Sequence, residues 1–118
     1  MKILVIDDEV EILDAIEKIL IKEGFEVEKA SSLAEGKSKI NQSQYDLVIS
    51  DIMLPHWGGF DLVDAIKENP AKQKTPVIII TGMDAGILES THTFADICLP
   101  KPFTRQQLLN AVVSLIGK

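Results

Sequence analysis

The chain has one cysteine, Cys98, among 118 residues. A single thiol excludes an internal disulfide and any multi-cysteine zinc site. Its sequence neighbours are apolar, which reads as a buried, inert side chain. No apolar run approaches the roughly 18 to 20 residues that a bilayer crossing needs, so membrane insertion is not expected. Met1 and Lys2 lead straight into a strand pattern in place of a signal peptide, and a cytoplasmic protein is expected. Linker-like Pro/Gly/Ser tracts, internal repeats and low-complexity segments are also absent. With 46% hydrophobic residues, residues 1–118 read as a single domain, large enough to bury a core and too small for two. Basic residues are scarce, 12 Lys and Arg against 18 Asp and Glu, for a net charge of −6. Neutralising nucleic-acid phosphates needs clustered Lys and Arg, so direct nucleic-acid binding is not expected.

What the chain does have is alternation. Residues 2–6 read as a buried strand. A helix follows over about 10–23, with Leu13, Ile16 and Leu20 on its apolar side, and Gly24 stops it. Glu11, Asp14 and Glu17 read as a solvated helix face. Residues 25–30 alternate like an edge strand. Ser31 or Ser32 caps a second helix to about Asn41. Residues 45–50 form a third strand, and the Pro- and Gly-containing stretch 54–59 a loop. Helical spacing resumes over 60–69. Residues 76–80 are a continuous apolar run suited to a strand covered on both faces. The stretch 82–93 holds at most a short helix, 97–99 is the last strand, and Thr104 caps a final helix to about Ile116. Strands and helices in this order imply a parallel sheet with helices on both faces. An edge-like second strand fits the order 2-1-3-4-5, whose switch point lies beside strands one and three.

Four strands deliver polar residues at or near their C-terminal ends: Asp7 and Asp8, Asp51, Thr81, and Lys101. In a parallel α/β sheet this edge is where ligands bind. Two carboxylates about 4 Å apart repel by roughly 4 kcal/mol at an effective dielectric near 20. A cluster of Asp7, Asp8 and Asp51 therefore calls for solvent, a shared proton or a cation. Hard oxygen ligands suit Mg²⁺, which keeps several waters and often bridges carboxylate to phosphate. Solvated acids at a helix N-terminus are the alternative for Glu9 and in part for Asp8. Lys101, held between Pro100 and Pro102, is placed to pair with Asp51 and with a phosphoryl oxygen. Gly82 behind Thr81 leaves room for an anion.

These motifs together resemble the receiver domain of two-component response regulators over essentially the full length. The resemblance rests on Val5, Ile6, Asp7, Asp8 and Glu9; on Asp51 through Pro55 with Gly58, Gly59 and Phe60; on Ile80, Thr81 and Gly82; and on Lys101, Pro102 and Phe103. It implies a flavodoxin-like (βα)5 three-layer sandwich. It also implies that Asp51 is the phosphoacceptor, attacking a phosphohistidine of a sensor histidine kinase or histidine phosphotransfer protein. Asp8, Asp51 and the Met53 carbonyl would ligate Mg²⁺, with Asp7 acting through a water. Thr81, Gly82 and Lys101 would bind phosphoryl oxygens, and movement of Thr81 would signal to a downstream effector protein or domain. The implied role is signalling, with no turnover beyond the domain's own phosphotransfer and slow self-dephosphorylation.

The chain departs from the family at Cys98, where an aromatic switch residue is usual; Phe94 is the nearest substitute. The span from Thr81 to Lys101 is about two residues short, which predicts a short or irregular fourth helix and an atypical switch. Met53 and Met83 flank the expected water path, so self-dephosphorylation should be slow. Trp57 reads as partial packing, and His56 is not read as a ligand, because magnesium prefers oxygen. An aspartate-nucleophile phosphohydrolase would place its second Asp two residues after the first on strand one, and a nucleotide or flavin module would want a phosphate loop there. A phosphorylation-independent receiver-like scaffold is the main rival. The sequence also suits either a stand-alone receiver or the N-terminal receiver of a longer regulator.

Overall fold

Short runs rich in Ile, Val and Leu build the sheet. The computed structural model describes residues 1–51, 74–81 and 96–117. In it, β1 (Lys2–Ile6) is followed by α1 (Val10–Lys22), β2 (Glu26–Ala30), α2 (Leu33–Gln42), β3 (Leu47–Asp51), β4 (Val77–Thr81), β5 (Ile97–Pro100) and α3 (Arg105–Ile116). All strand pairs are parallel, in the order β2-β1-β3-β4-β5. This is the flavodoxin-like arrangement expected from the sequence. The expected helix at 60–69, the short fourth helix and the 54–59 loop lie outside the described residues.

Side chains alternate across the pleat. Ile3, Val5, Leu47, Ile49, Ile78, Ile80 and Leu99 share one buried cluster with Leu13, Ile16 and Leu20 of α1 and Leu108 and Val112 of α3. Leu4, Ile6, Val48 and Ile79 alternate with them and are equally buried. Each fully buried Leu or Ile contributes about 1.5–3 kcal/mol, so these two faces carry the stability. The ion pairs of Lys29 with Asp14 (3.0 Å) and Glu17 (3.1 Å) are solvent-accessible and worth at most about 1 kcal/mol each. They do correct one expectation: Asp14 and Glu17 are tied to β2 and are not simply a solvated face.

The helix ends follow local chemistry. The Ser32 hydroxyl accepts from the Glu35 N–H, and the Glu35 carboxylate accepts from the Ser31 N–H, which selects Ser32 over Ser31 as the cap. Thr104 and Gln107 form a reciprocal capping box at the start of α3. α1 ends at Lys22, and Gly24 supplies the positive φ of 92° that lets the chain turn into β2. β3 starts at Leu47, later than the expected 45–50, and it also ends later, because Asp51 still pairs with Ile80 of β4.

α2 lies very close to β1. A Cβ on Gly36 would sit 2.6 Å from Cδ1 and 3.2 Å from Cγ1 of Ile6, and Ile6 is itself fully buried. Gly36→Ala should therefore destabilise the protein by about 1 kcal/mol in urea titration, overpacking outweighing the helix-propensity gain. Ile6→Val removes the clashing methyl, so in that background Gly36→Ala should become neutral or stabilising.

Candidate functional site

The parallel sheet brings the C-terminal ends of β1 and β3 side by side, with Ile6 opposite Ser50. Asp7 follows β1, and its N–H still donates to the Ala30 carbonyl of β2 (3.1 Å). Asp51 is the last residue of β3. Both are almost fully buried, at 1% and 2% exposure, while Asp8 is exposed. One carboxylate oxygen from each of Asp7, Asp8 and Asp51 lies within 4.8 Å of the others.

Lys101 enters from the end of β5. Its Nζ donates to Asp51 Oδ2 at 2.9 Å and lies 3.7 Å from Asp7 Oδ2. The second separation is too long for a hydrogen bond. Burial alone would lower the lysine's pKa, but the Asp51 and Asp7 carboxylates outweigh it and hold the ammonium above its usual value. Asp7 Oδ1 accepts from the Glu9 main-chain N–H at 2.8 Å. Its Oδ2 is buried with no hydrogen-bond partner among the described residues. Burial, with the neighbouring Asp51 charge, pushes the Asp7 carboxyl up to about 6.

An orphaned buried carboxylate oxygen beside two further carboxylates is short of positive charge. Hard oxygen donors on one side, open to solvent through Asp8, fit a magnesium ion that keeps part of its water shell.

Thr81 closes β4 with its main chain opposite Pro100. Met53 and Gly82, together with His56, Trp57, Met83 and Phe94, lie outside the described residues. Cys98 sits on β5, partly buried, and burial raises its thiol pKa; it is less enclosed than expected. Sequence reasoning missed the Glu9 main-chain N–H as the partner of Asp7, since no residue type advertises a main-chain donor.

Residues 3–113 match the response regulator receiver domain family. The chain belongs to that family. Receiver domains are signalling domains, and accepting a phosphoryl group is general among them. The CpxR homolog of Haemophilus influenzae, a transcriptional regulatory protein, is 33% identical over 119 residues, covering 99% of this chain and 51% of that protein. The chain spans about half the length of the transcriptional regulators it matches. Among solved structures, a receiver domain protein from Clostridium thermocellum is 39% identical, covers 98% of this chain and 94% of its own, and superposes with a TM-score of 0.84. TrrA from Thermotoga maritima, solved in complex with Mg²⁺ and BeF, is 30% identical with a TM-score of 0.86, covering 97% of each chain. Among the described residues no helix is long and apolar enough to cross a membrane.

The Asp7 carboxyl sets a pH dependence for this receiver. Its folded pKa near 6 lies above the ordinary 3.8, so the folded state holds the proton more tightly. The associated stability is fully present below pH 3.8, falls as pH rises, and is lost above 6. Asp7→Asn should therefore stabilise the metal-free protein at pH 7 by on the order of 2 kcal/mol. It should also flatten the urea-midpoint profile between those two pH values.

Proposed function

We propose that residues 1–118 act as one receiver domain that takes a phosphoryl group from phosphohistidine onto Asp51. The donor is a sensor histidine kinase or a histidine phosphotransfer protein, and the reader is a downstream effector protein or domain in the cytoplasm. The observation that carries this reading is the Lys101 ammonium, 2.9 Å from Asp51 Oδ2 and 3.7 Å from Asp7 Oδ2. It brings a cation to a buried acid cluster at the ligand-binding edge of the sheet.

In the transfer, an Asp51 carboxylate oxygen forms a bond to phosphorus while the phosphorus–nitrogen bond of the donor breaks. The imidazole nitrogen leaves with the electron pair. Such transfers depend on positioning and charge neutralisation more than on covalent assistance from the protein. Burial of Asp51 excludes water from one side of the nucleophile, and Lys101 orients the carboxylate and meets the incoming negative oxygen. Asp8, Asp51 and the Met53 carbonyl are assigned to Mg²⁺, with Asp7 acting through a water. The ion when bound offsets the charge of the carboxylates and of the phosphoryl oxygens. Thr81 and Gly82 are assigned to the remaining phosphoryl oxygens, as the family resemblance implies.

Cys98 stands where the family usually carries its switch aromatic, and a thiol is too small to take an aromatic ring's place. The change that follows phosphorylation is accordingly weaker or routed differently. The reading with no phosphotransfer, a partner-binding scaffold, makes the opposite prediction at Asp51.

Incubation with acetyl phosphate and Mg²⁺, followed by intact mass, should add one phosphoryl group to the wild type and none to Asp51→Asn. The added mass should persist for minutes or longer, given Met53 and Met83; absence of labelling would favour the scaffold. Beryllofluoride with Mg²⁺ should shift amide resonances around Asp51 strongly and those of residues 82–100 only weakly. Large shifts throughout 82–100 would contradict the atypical switch.

A further inference from the structure

The segment that carries Lys101 is held in an unusual way. β5 ends at Pro100 and α3 starts at Arg105, its first turn fixed by the Thr104–Gln107 capping box. Between these anchors, Pro102 has no N–H to donate, and the Phe103 main chain makes no hydrogen bond among the described residues. Besides the Lys101 hydrogen bond to Asp51, the stretch is anchored by the Phe103 side chain, partly buried against the core cluster of sheet, α1 and α3 residues. Phe103 also borders an open apolar groove of about 580 Å³, lined by Ile12, Ala15, Ile16 and Ile19 of α1 together with Lys101 and Pro102. The ring thus packs against the core and borders the groove, two residues from the ammonium that touches Asp51.

We infer that Phe103 is a positioning residue for Lys101: its seat against the core cluster sets how far the ammonium reaches toward Asp51 and Asp7. This deepens the phosphoacceptor reading above and rests on it. A ring that only filled core volume would, when removed, lower stability and leave the charge balance at the acids unchanged. Removal of a ring that positions Lys101 withdraws positive charge from Asp51, and two measurements then move in opposite directions. Fewer positive charges beside the carboxylates favour a divalent cation, whereas a displaced lysine no longer meets the incoming phosphoryl oxygen.

The test measures Mg²⁺ affinity by calorimetry and the rate of labelling by acetyl phosphate in wild type, Phe103→Ala, Phe103→Leu, Lys101→Met and the Phe103→Ala/Lys101→Met double variant. Phe103→Ala should bind Mg²⁺ about 5-fold more tightly, from weakened competition by a nearby cation. It should be labelled about 10-fold more slowly, the usual scale for losing a supporting residue. Phe103→Leu, which keeps an apolar seat, should recover most of both. In the Lys101→Met background Phe103→Ala should change neither, because the coupled partner is already gone. Unchanged or weaker Mg²⁺ binding in Phe103→Ala, or a full further effect in the double variant, overturns the inference. If Phe103→Ala does not fold, Phe103→Val, which shortens the apolar seat, takes its place and is read against wild type and Lys101→Met by the same opposite movement. The Mg²⁺ measurements do not depend on phosphorylation, so a wild type that binds Mg²⁺ but takes no phosphoryl group would refute the phosphoacceptor reading alone.

Discussion

Three acidic side chains crowd the carboxyl ends of two adjacent strands, and a lysine reaches them from a third. That contest between like charges and the cation organises the molecule around it. Two of the acids are almost completely removed from water, where repulsion is screened least. The fold holds them there because their backbones belong to the sheet: Asp51 is a ladder residue of β3, and Asp7 still donates to β2. The sheet in turn is held by two buried apolar faces whose burial energy greatly exceeds the local electrostatic cost. The site is thus a high-energy arrangement supported by a low-energy frame.

The same contest explains the division of labour among the acids. Asp7 and Asp51 are buried, and Lys101 divides its charge unequally between them, hydrogen-bonding one and only approaching the other. Asp8 stands in solvent, where its charge costs little and a partly hydrated ion can reach it. A centre that is short of positive charge until a cation arrives is selective by construction for ligands that bring it.

Much of this was legible in the sequence because it is topological. Strand ends are marked by where apolar runs stop, and a parallel sheet places those ends on one edge. Asp7, Asp8, Asp51 and Lys101 meet for that reason, and Thr104 caps the last helix for an equally local one. What sequence did not reveal depends on lateral placement of helices, which periodicity leaves undetermined. The pairing of Asp14 and Glu17 with Lys29 and the approach of Gly36 to Ile6 are both of this kind. The later end of β3 has a different origin: Asp51 looks like a loop acid by residue type, yet its main chain completes a pair with Ile80. Cys98, read as buried from its apolar neighbours, is only partly enclosed because it lies on the outermost strand described on that side.

The opposite margin of the sheet tells against edge-to-edge strand pairing. Among the described residues β2 is the outermost strand there, five residues long and with three of them charged: Glu26, Glu28 and Lys29. Glu28 is engaged with Lys2 and Tyr45, and Lys29 with the acids of α1, so two of the three charges are paired along the strand. A row of charges is a poor template for a further strand, which would have to desolvate them. Strand addition through this margin is thereby disfavoured, so the charges that brace β2 from within also close it to a strand from outside.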